Sequence, residues 1–476
     1  MTRRIINKSL LINPPTGLYI REDRCQSYIE DLPAVEMRPP MDLLSMAASL
    51  ERENVVCRII DCPMEKVEWP ELAEEMRKFH PDILIISTTT STIEKDLKVC
   101  ELAKKIDKNI ITVAKGAIFF QEDEQILSTF KDLDMAIRGE TNEVVEELAR
   151  GLELSAIRGL TYREKGTIKR NEPRPFLEDM DKLPFPARHL LRNEIYIRMD
   201  NGRPQATIET GRGCPGRCIF CLSHQVSGYK MRQRSPDNVI AEIRECIGRF
   251  KIKDFHFRTD TFTADKKWVA ELCREIIDEK LNINWVCTSR VDSIDEEMLS
   301  WMKKAGCWGI SFGVESGNQQ MLDLMKKGIK IEQVKNAFRL CKKYGIDSFA
   351  YFLIGFPWET EETINDSIKL AIEIDPSVVD FFIVYPFPGT EFYEIAFRER
   401  LIKEKGFKCQ GAYSQPSIDT LYLKKEKLPE LRKRALRKFY LRPAYMLKLL
   451  RRIRSGKEML NYFSKGRQAL AVFFKS

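Results

Sequence analysis

Three cysteines, Cys214, Cys218 and Cys221, lie in the run Gly211-Arg-Gly-Cys-Pro-Gly-Arg-Cys-Ile-Phe-Cys221. Their spacing is C-x3-C-x2-C, in a glycine-rich turn after a strand-like stretch from Gln205 to Glu209. Three thiolates so placed suit a four-iron, four-sulfur cluster. Such clusters are ordinarily held by four cysteines, so three leave one iron open to another molecule. Zinc is the competing chemistry. A structural zinc site draws on two ligand pairs, yet no second C-x2-C or His pair lies nearby, and the closest histidine is His224. Unrelated buried thiols are the third reading.

The surrounding sequence has to position this loop. Residues 205 to about 400 read as six strand-then-helix units, with strands near Ala206, Phe255, Trp285, Ile310, Tyr351 and Ile383. Helices follow from Ser235, Asp265, Asp295, Asn318, Ile331, Thr360 and Glu391. Ser235-Pro236 and Asp265 are helix-start signals. Six such units suggest a partial (β/α)6 barrel. Parallel barrels place their chemistry at the C-terminal strand ends, and the cysteine loop follows the first strand. Residues 1–150 also alternate strand and helix patterns, which argues for a doubly wound, Rossmann-like parallel sheet. Ligands of such sheets bind beyond the C-terminal strand ends. The expected organisation is α/β throughout: a doubly wound domain at 1–150, a proline-rich connector at 151–200, the barrel at 201–402, and a basic helical region at 403–476. Within the connector, Leu160–Arg163 and Thr167–Lys169 are expected to form a hairpin around Lys165-Gly166.

The composition of the 476 residues, 43% hydrophobic and 31% charged, is that of a globular protein with two or three domains. The apolar stretch Leu10–Ile12 is too short for a secretory signal. No apolar run approaches the length of a membrane span. Thirteen scattered cysteines point to a reducing compartment, the cytoplasm, rather than to a disulfide framework. The net charge of +8 resides in the tail: Lys424 to Lys457 holds 14 Lys and Arg against 2 acidic residues. A basic amphipathic tail either packs on the barrel or makes peripheral contact with an anionic membrane. Nucleic-acid binding is disfavoured, because no RNA-binding module accompanies the charge.

C-x3-C-x2-C with an aromatic, Phe220, before the third cysteine resembles the signature of radical S-adenosylmethionine (SAM) enzymes. The resemblance implies a [4Fe-4S] cluster on Cys214, Cys218 and Cys221, whose open iron chelates SAM. Reductive cleavage of SAM then yields a 5′-deoxyadenosyl radical, with electrons from a flavodoxin or ferredoxin and little oxygen present. Later strand ends resemble the same family: Asp260 after the second strand, Ser289-Arg290 after the third, Glu315-Ser316 after the fourth and Ile354-Gly-Phe-Pro357 after the fifth. The resemblance assigns Asp260 and Arg290 to the methionine part of SAM. It assigns Glu315 to the ribose or amine, and Ile354 to a backbone contact near adenine. A guanidinium suits a carboxylate through paired hydrogen bonds. Singly, each has a plain structural reading; Arg290, for instance, could simply pair with Asp292.

The N-terminal half resembles the cobalamin-binding domain that precedes this barrel in one large branch. The runs are Asn13-Pro-Pro15, Arg38-Pro-Pro-Met-Asp-Leu-Leu44, Ser87-Thr-Thr-Thr-Ser91 and Arg138-Gly-Glu140. Asn13, Ser87, Thr88, Gly116 and Gly139 are the candidate cobalamin residues. Two departures stand out. No Asp-x-His-x-x-Gly motif supplies a cobalt ligand, and His80 reads as a helix-end residue. Where relatives carry Gly-Gly, this chain has Lys115-Gly116, and Lys115 is expected to crowd the cofactor.

The resemblance implies an enzyme that methylates an unactivated carbon of a small-molecule or lipid-like substrate. The tail run Phe-Tyr-Leu-Arg-Pro443 resembles the branch of the anaerobic magnesium-protoporphyrin monomethyl ester cyclase and hopanoid-associated proteins. Radical cyclisation or rearrangement is therefore the alternative. A tRNA methylthiotransferase would need three N-terminal cysteines for a second cluster; Cys25, Cys57, Cys62 and Cys100 are available, but their setting does not resemble that family. A cobalamin or redox sensor is the non-catalytic alternative.

Overall fold

The computed structural model describes residues 6–23, 26, 28, 38–198, 200–403 and 416–452. The first sheet is built from β1 (Lys8–Asn13), β2 (Val56–Asp61), β3 (Ile83–Ser87), β4 (Ile111–Lys115) and β5 (Met135–Ile137). These run parallel in the order β2-β1-β3-β4-β5, the doubly wound arrangement expected. Successive side chains point to opposite faces of a strand. Leu10 and Ile12 of β1, with Leu84 and Ile86 of β3, therefore enter one core, while Leu11, Ile83 and Ile85 enter the other. Helices cover both faces, which is why these strands read as continuous apolar runs.

The sheet does not stop at residue 150. The connector's hairpin forms as β6 (Leu160–Glu164) and β7 (Thr167–Arg170), and β6 pairs antiparallel with β5. The rest of the connector is stitched to both domains. Ala187 N donates to Leu44 O (3.1 Å), buried Arg188 donates to Thr207 O (2.6 Å) and Glu242 (2.5 Å), and the Tyr196 hydroxyl donates to Asp61 (2.8 Å).

The second sheet is the six-stranded partial barrel: β8 (Gln205–Glu209), β11 (Asp254–Arg258), β12 (Asn284–Ser289), β13 (Cys307–Glu315), β14 (Asp347–Ile354) and β15 (Val378–Ile383). All its neighbours are parallel. Six of its described helices start at side-chain caps, on Ser235, Asp265, Asp295, Asn318, Thr360 and Thr390, each accepting from backbone N–H groups of the first turn. Between β8 and β11, the short strands β9 (Gly211–Arg212) and β10 (Arg232–Gln233) pair antiparallel and close the base of the cysteine loop.

An open barrel leaves an edge strand with unpaired backbone groups. The C-terminal helix Lys427–Tyr440 covers that edge. The Tyr440 hydroxyl accepts from Val379 N (3.1 Å) and donates to Val379 O (2.7 Å), Arg432 donates to Phe381 O (2.6 Å), and Tyr445 donates to Ser377 O (2.9 Å). Leu428, Leu431, Leu436 and Phe439 join the barrel core. The part of the basic tail that is described is thus a packed element of the barrel. No helix among the described residues is long and apolar enough to cross a membrane.

Candidate active site between the two domains

The cysteine loop is set by backbone contacts. Gly213 has φ +100°, and a methyl group there would fall 2.0 Å from Lys230 O, so only glycine fits. Asp260, at the end of β11, accepts from Gly213 N (2.7 Å). Cys214 N donates to Gly228 O (3.1 Å), and Ile219 N donates to Met325 O (3.1 Å). Phe220 meets Phe356 edge-on, with ring centroids 5.7 Å apart.

The three thiols of the loop are partly exposed, whereas the other described cysteines are buried. A methyl group on Gly216 would lie 3.3 Å from Cys214 Sγ, 3.9 Å from Cys218 Sγ and 3.5 Å from Arg290 Nη1. Glycine therefore keeps clear a space faced by two thiols and a guanidinium. Among the described residues, no three His, Cys, Asp or Glu side chains converge on one mononuclear metal position. A cluster offers each thiolate its own iron and needs no such convergence. The donor set fits a four-iron cluster on Cys214, Cys218 and Cys221.

The strand ends divide into two groups. Arg290 lies beside the loop. Asp292 holds its guanidinium through paired bonds (2.9 Å each), and a third bond goes to Lys327 O (2.9 Å). Burial opposes its charge, but Asp292 and the thiolates of Cys218 and Cys214 raise its pKa above the ordinary value. Glu315 has φ +68° at a bulge in β13 and is buried, bonded to Lys327 Nζ at 2.6 Å. A positive φ in a non-glycine residue is strain of the kind that clusters at functional sites. Ser289 and Ser316 instead serve the framework. Ser289 bonds Thr263 and Ser293, while Ser316 accepts from Asn318 N (3.2 Å) and faces Ser367 (3.3 Å). Ile354 is buried, and its carbonyl accepts from Val384 N (2.8 Å).

Two residues here were not singled out by sequence reasoning. Lys327 lies in a turn between helices, where only the Glu315 pairing reveals it. Glu359 accepts from Gly355 N (2.5 Å) and Phe356 N (3.0 Å) and so fixes the turn after β14. Its signal was its place two residues beyond Gly-Phe-Pro357. Burial raises its pKa to about 7, against the opposing pull of those two N–H donors.

On the other side of the crevice, Asn13, Ser87, Thr88, Gly116 and Gly139 stand at the ends of β1, β3, β4 and β5. Thr88 N and Oγ1 both donate to Lys115 O at 2.9 Å. A methyl group on Gly116 would sit 2.5 Å from Thr88 Oγ1, so this glycine allows the loops after β3 and β4 to touch. Gly139 (φ +99°) faces open space. The buried Asn13 Oδ1 has no partner. An orphaned acceptor and an uncovered glycine at these strand ends fit a large polar ligand such as cobalamin. His80 caps the helix Trp69–Phe79, which leads into the opposite end of β3, and so lies away from these residues.

Lys115 does not crowd the crevice. Its ammonium turns onto Asp23 (3.1 Å) and Asp42 and is 2% exposed. Burial opposes that charge, yet the two carboxylates raise its pKa above the ordinary lysine value. Asp23 belongs to a strap that crosses the strand ends. Within it, Arg21 donates to Ser87 O (3.0 Å) and Asp96 (3.0 Å), and Glu22 pairs with Arg258 at 3.6 Å. A cleft lies under the strap, lined by Asn13, Asp61 and Ser87 among others. A second runs from Lys115 and Gly139 to Arg212 and Asp260. The strand ends of both domains thus share one cavity.

Comparison with known proteins agrees with this geometry. The family model described as the B12 binding domain matches residues 37–149, and that of the Radical SAM superfamily matches residues 208–371. An uncharacterised methyltransferase of Pyrococcus horikoshii is 32% identical over 93% of this chain and 94% of its own. The anaerobic magnesium-protoporphyrin IX monomethyl ester cyclase of Rubrivivax gelatinosus is 28% identical over 70% of this chain and 62% of its own length. Among solved structures, the cobalamin-dependent S-adenosylmethionine radical enzyme OxsB, with aqua-cobalamin and S-adenosylmethionine bound, superposes with a TM-score of 0.74. That match covers 99% of this chain and 72% of OxsB at 17% identity, a likeness of fold. Two domains in this order, facing one crevice, and a relative matched nearly end to end place the chain in the family of radical SAM proteins that carry an N-terminal B12-binding domain.

Proposed function

We propose that this protein is a cobalamin-dependent radical SAM methyltransferase acting on an unactivated carbon of a small polar molecule. The shared cleft carries the reading: Lys115 and Gly139 from the cobalamin side and Asp260 from the cluster side line the same space. When bound, the cluster with SAM supplies a hydrogen-abstracting 5′-deoxyadenosyl radical, and cobalamin supplies a transferable methyl group. The protein's own residues bind and orient. Cys214, Cys218 and Cys221 hold the cluster, and Asp260 fixes the loop that presents them. Arg290 and Glu315 offer a cation and an anion to SAM. Asn13 and Gly139 offer an acceptor and open space to cobalamin.

The charge of the cavity favours the polar substrate. Glu209, Arg212, Arg258 and Asp260 form its barrel side, and Val226 is the one large apolar residue in its lining. These charges are paired among themselves, Arg212 with Glu209 and Glu140 and Arg258 with Asp42 and Glu22, so the lining is a polar surface that a hydrogen-bonding substrate can engage and a purely apolar one cannot. The cyclase relative supports oxidative cyclisation as the second reading.

The test is anaerobic reconstitution with iron, sulfide and hydroxocobalamin, reduction, and addition of methyl-labelled SAM with a metabolite extract. The expected outcome is 5′-deoxyadenosine together with label in a water-soluble product. Deoxyadenosine with an unlabelled, cyclised product would favour the second reading, and no deoxyadenosine under any condition would remove both.

A further inference from the structure

Lys327 has no part in the chemistry described above, yet it is among the most confined cations of the molecule. It is 8% exposed and stands between Lys326 and Gly328, both at positive φ (+52° and +70°). The backbone here is shaped to deliver one side chain inward. The ammonium bonds Glu315 Oε1 at 2.6 Å, and the Lys327 carbonyl accepts from Arg290 (2.9 Å). Two residues earlier, Met325 O accepts from Ile219 N, inside the cysteine run and beside Cys218 (3.1 Å). The turn bearing Lys327 is thus fastened to the cysteine loop. On β13, a methyl group at Gly313 would fall 2.3 Å from Glu315 Oε1 and 3.0 Å from Lys327 Nζ, so that strand is glycine where the ion pair passes.

A buried charge of this kind is expensive unless it is paired or put to use. Glu315 accounts for the pairing. The position beside the loop accounts for a use, because one-electron reduction adds a negative charge to whatever Cys214, Cys218 and Cys221 hold. A cation nearby, in surroundings of low dielectric, stabilises the reduced form more than the oxidised form. We propose that Lys327 is a positioning residue that sets the reduction potential of the iron–sulfur centre and holds Glu315 in its strained orientation toward SAM. The inference rests on the cluster reading given above. With the cluster bound, Lys327 and Arg290 would place positive charge beside it, and Glu315 would offset part of that charge.

The test is an anaerobic redox titration, followed by electron paramagnetic resonance, of the reconstituted full chain and of K327M, K327R and E315Q. Iron and sulfide content are measured on the same samples. K327M is expected to shift the midpoint to more negative values. K327R is expected to restore it, and E315Q, which removes the neighbouring anion, to shift it to more positive values. SAM affinity, read by equilibrium dialysis, is expected to fall in K327M and recover in K327R. Midpoints unchanged in K327M and E315Q would overturn the proposal. If K327M cannot retain its cluster, E315Q alone decides, and an unmoved midpoint there has the same force. Absence of any cluster signal in the wild-type protein would instead strike at the cluster reading itself.

Discussion

Arg258 and Asp42 meet across the boundary between the two domains, with Arg258 Nη1 donating to Asp42 Oδ1 at 3.1 Å. Arg258 ends a barrel strand, and Asp42 begins the first helix of the other domain. The same carboxylate also bonds Lys115 at the end of β4. Each of the two main cavities has both Asp42 and Arg258 in its lining. One carboxylate between two cations, one from each domain, therefore sets the separation of the surfaces that would grip cobalamin.

Replacing Asp42 with Asn should cost about 1.5–3 kcal/mol, less than breaking a fully buried ion pair, because Asp42 is partly exposed, Lys115 retains Asp23 and Arg258 retains Glu22. Burial alone would raise the Asp42 carboxyl, but Lys115 and Arg258 outweigh it and hold the group well below its usual range. A depressed carboxyl adds stability at all pH values above its unfolded pKa, 3.8, and loses it as pH falls toward the native value. The wild type should therefore lose stability more steeply than D42N in the acid limb. Urea unfolding at neutral pH and below pH 4 reads both effects, and parallel acid limbs would count against the assignment.

Glu359 has the opposite sign. Its pKa is raised from 4.5 to about 7, so the native state binds the extra proton between those values. Its contribution is complete below pH 4.5 and lost as pH rises through 7, on the order of 3 kcal/mol across the window. E359Q keeps an acceptor for the Gly355 and Phe356 amides but does not titrate. Across that window its stability relative to wild type should climb by the same amount. Curves that run parallel from pH 5 to 8 would remove Glu359 as the source.

Much of this arrangement was legible in the chain. Apolar runs such as Leu10–Ile12 and Ile83–Ile86 have to be strands covered on both faces. Ser235, Asp295 and Thr360 announced helix starts, because their side chains satisfy first-turn amides whatever lies elsewhere. The cysteine spacing likewise marked, from local sequence alone, the loop proposed to hold the cluster. What escaped depends on distance in sequence. Asp42 meets Arg258 only once two domains have docked, and Lys327 meets Glu315 only because a bulge turns β13 inward. The hairpin at 160–170 was visible as a hairpin, but its pairing to β5 was not, since an edge strand accepts a partner without leaving a mark in its own pattern. Lys115 misled for a related reason: side-chain size suggested crowding, while two distant carboxylates draw the ammonium aside.

Gly313 offers a test of how closely the SAM side is fitted. In G313A the new methyl group would collide with Glu315 Oε1 and press on Lys327 Nζ. Both side-chain ends are locked to one another, so neither yields cheaply. The expected cost is about 1–3 kcal/mol of stability, typical of overpacking. SAM binding should weaken and deoxyadenosine formation slow, while iron content stays at the wild-type level. Unaltered SAM affinity would show that Glu315 does not face the cofactor.

The two glycines of the cobalamin side separate a structural role from a binding role. In G116A the methyl group would lie 2.5 Å from Thr88 Oγ1 and 2.9 Å from Thr88 O, an intrusion on backbone that has to push the loops after β3 and β4 apart. Stability and cobalamin affinity should fall together in that variant. Gly139 differs: a methyl group there meets no atom within 4 Å and projects where the cavity is open. Its φ of +99° makes alanine strained by about 1–2 kcal/mol, a cost the fold can absorb. G139A should therefore lose less stability in urea than G116A yet bind hydroxocobalamin more weakly, as read by absorbance titration of the apoprotein. The comparison is decisive because the two substitutions add the same group to neighbouring strand ends. If G139A binds cobalamin as tightly as wild type, the corrin does not reach the end of β5, and the cofactor lies instead under the strap near Asn13.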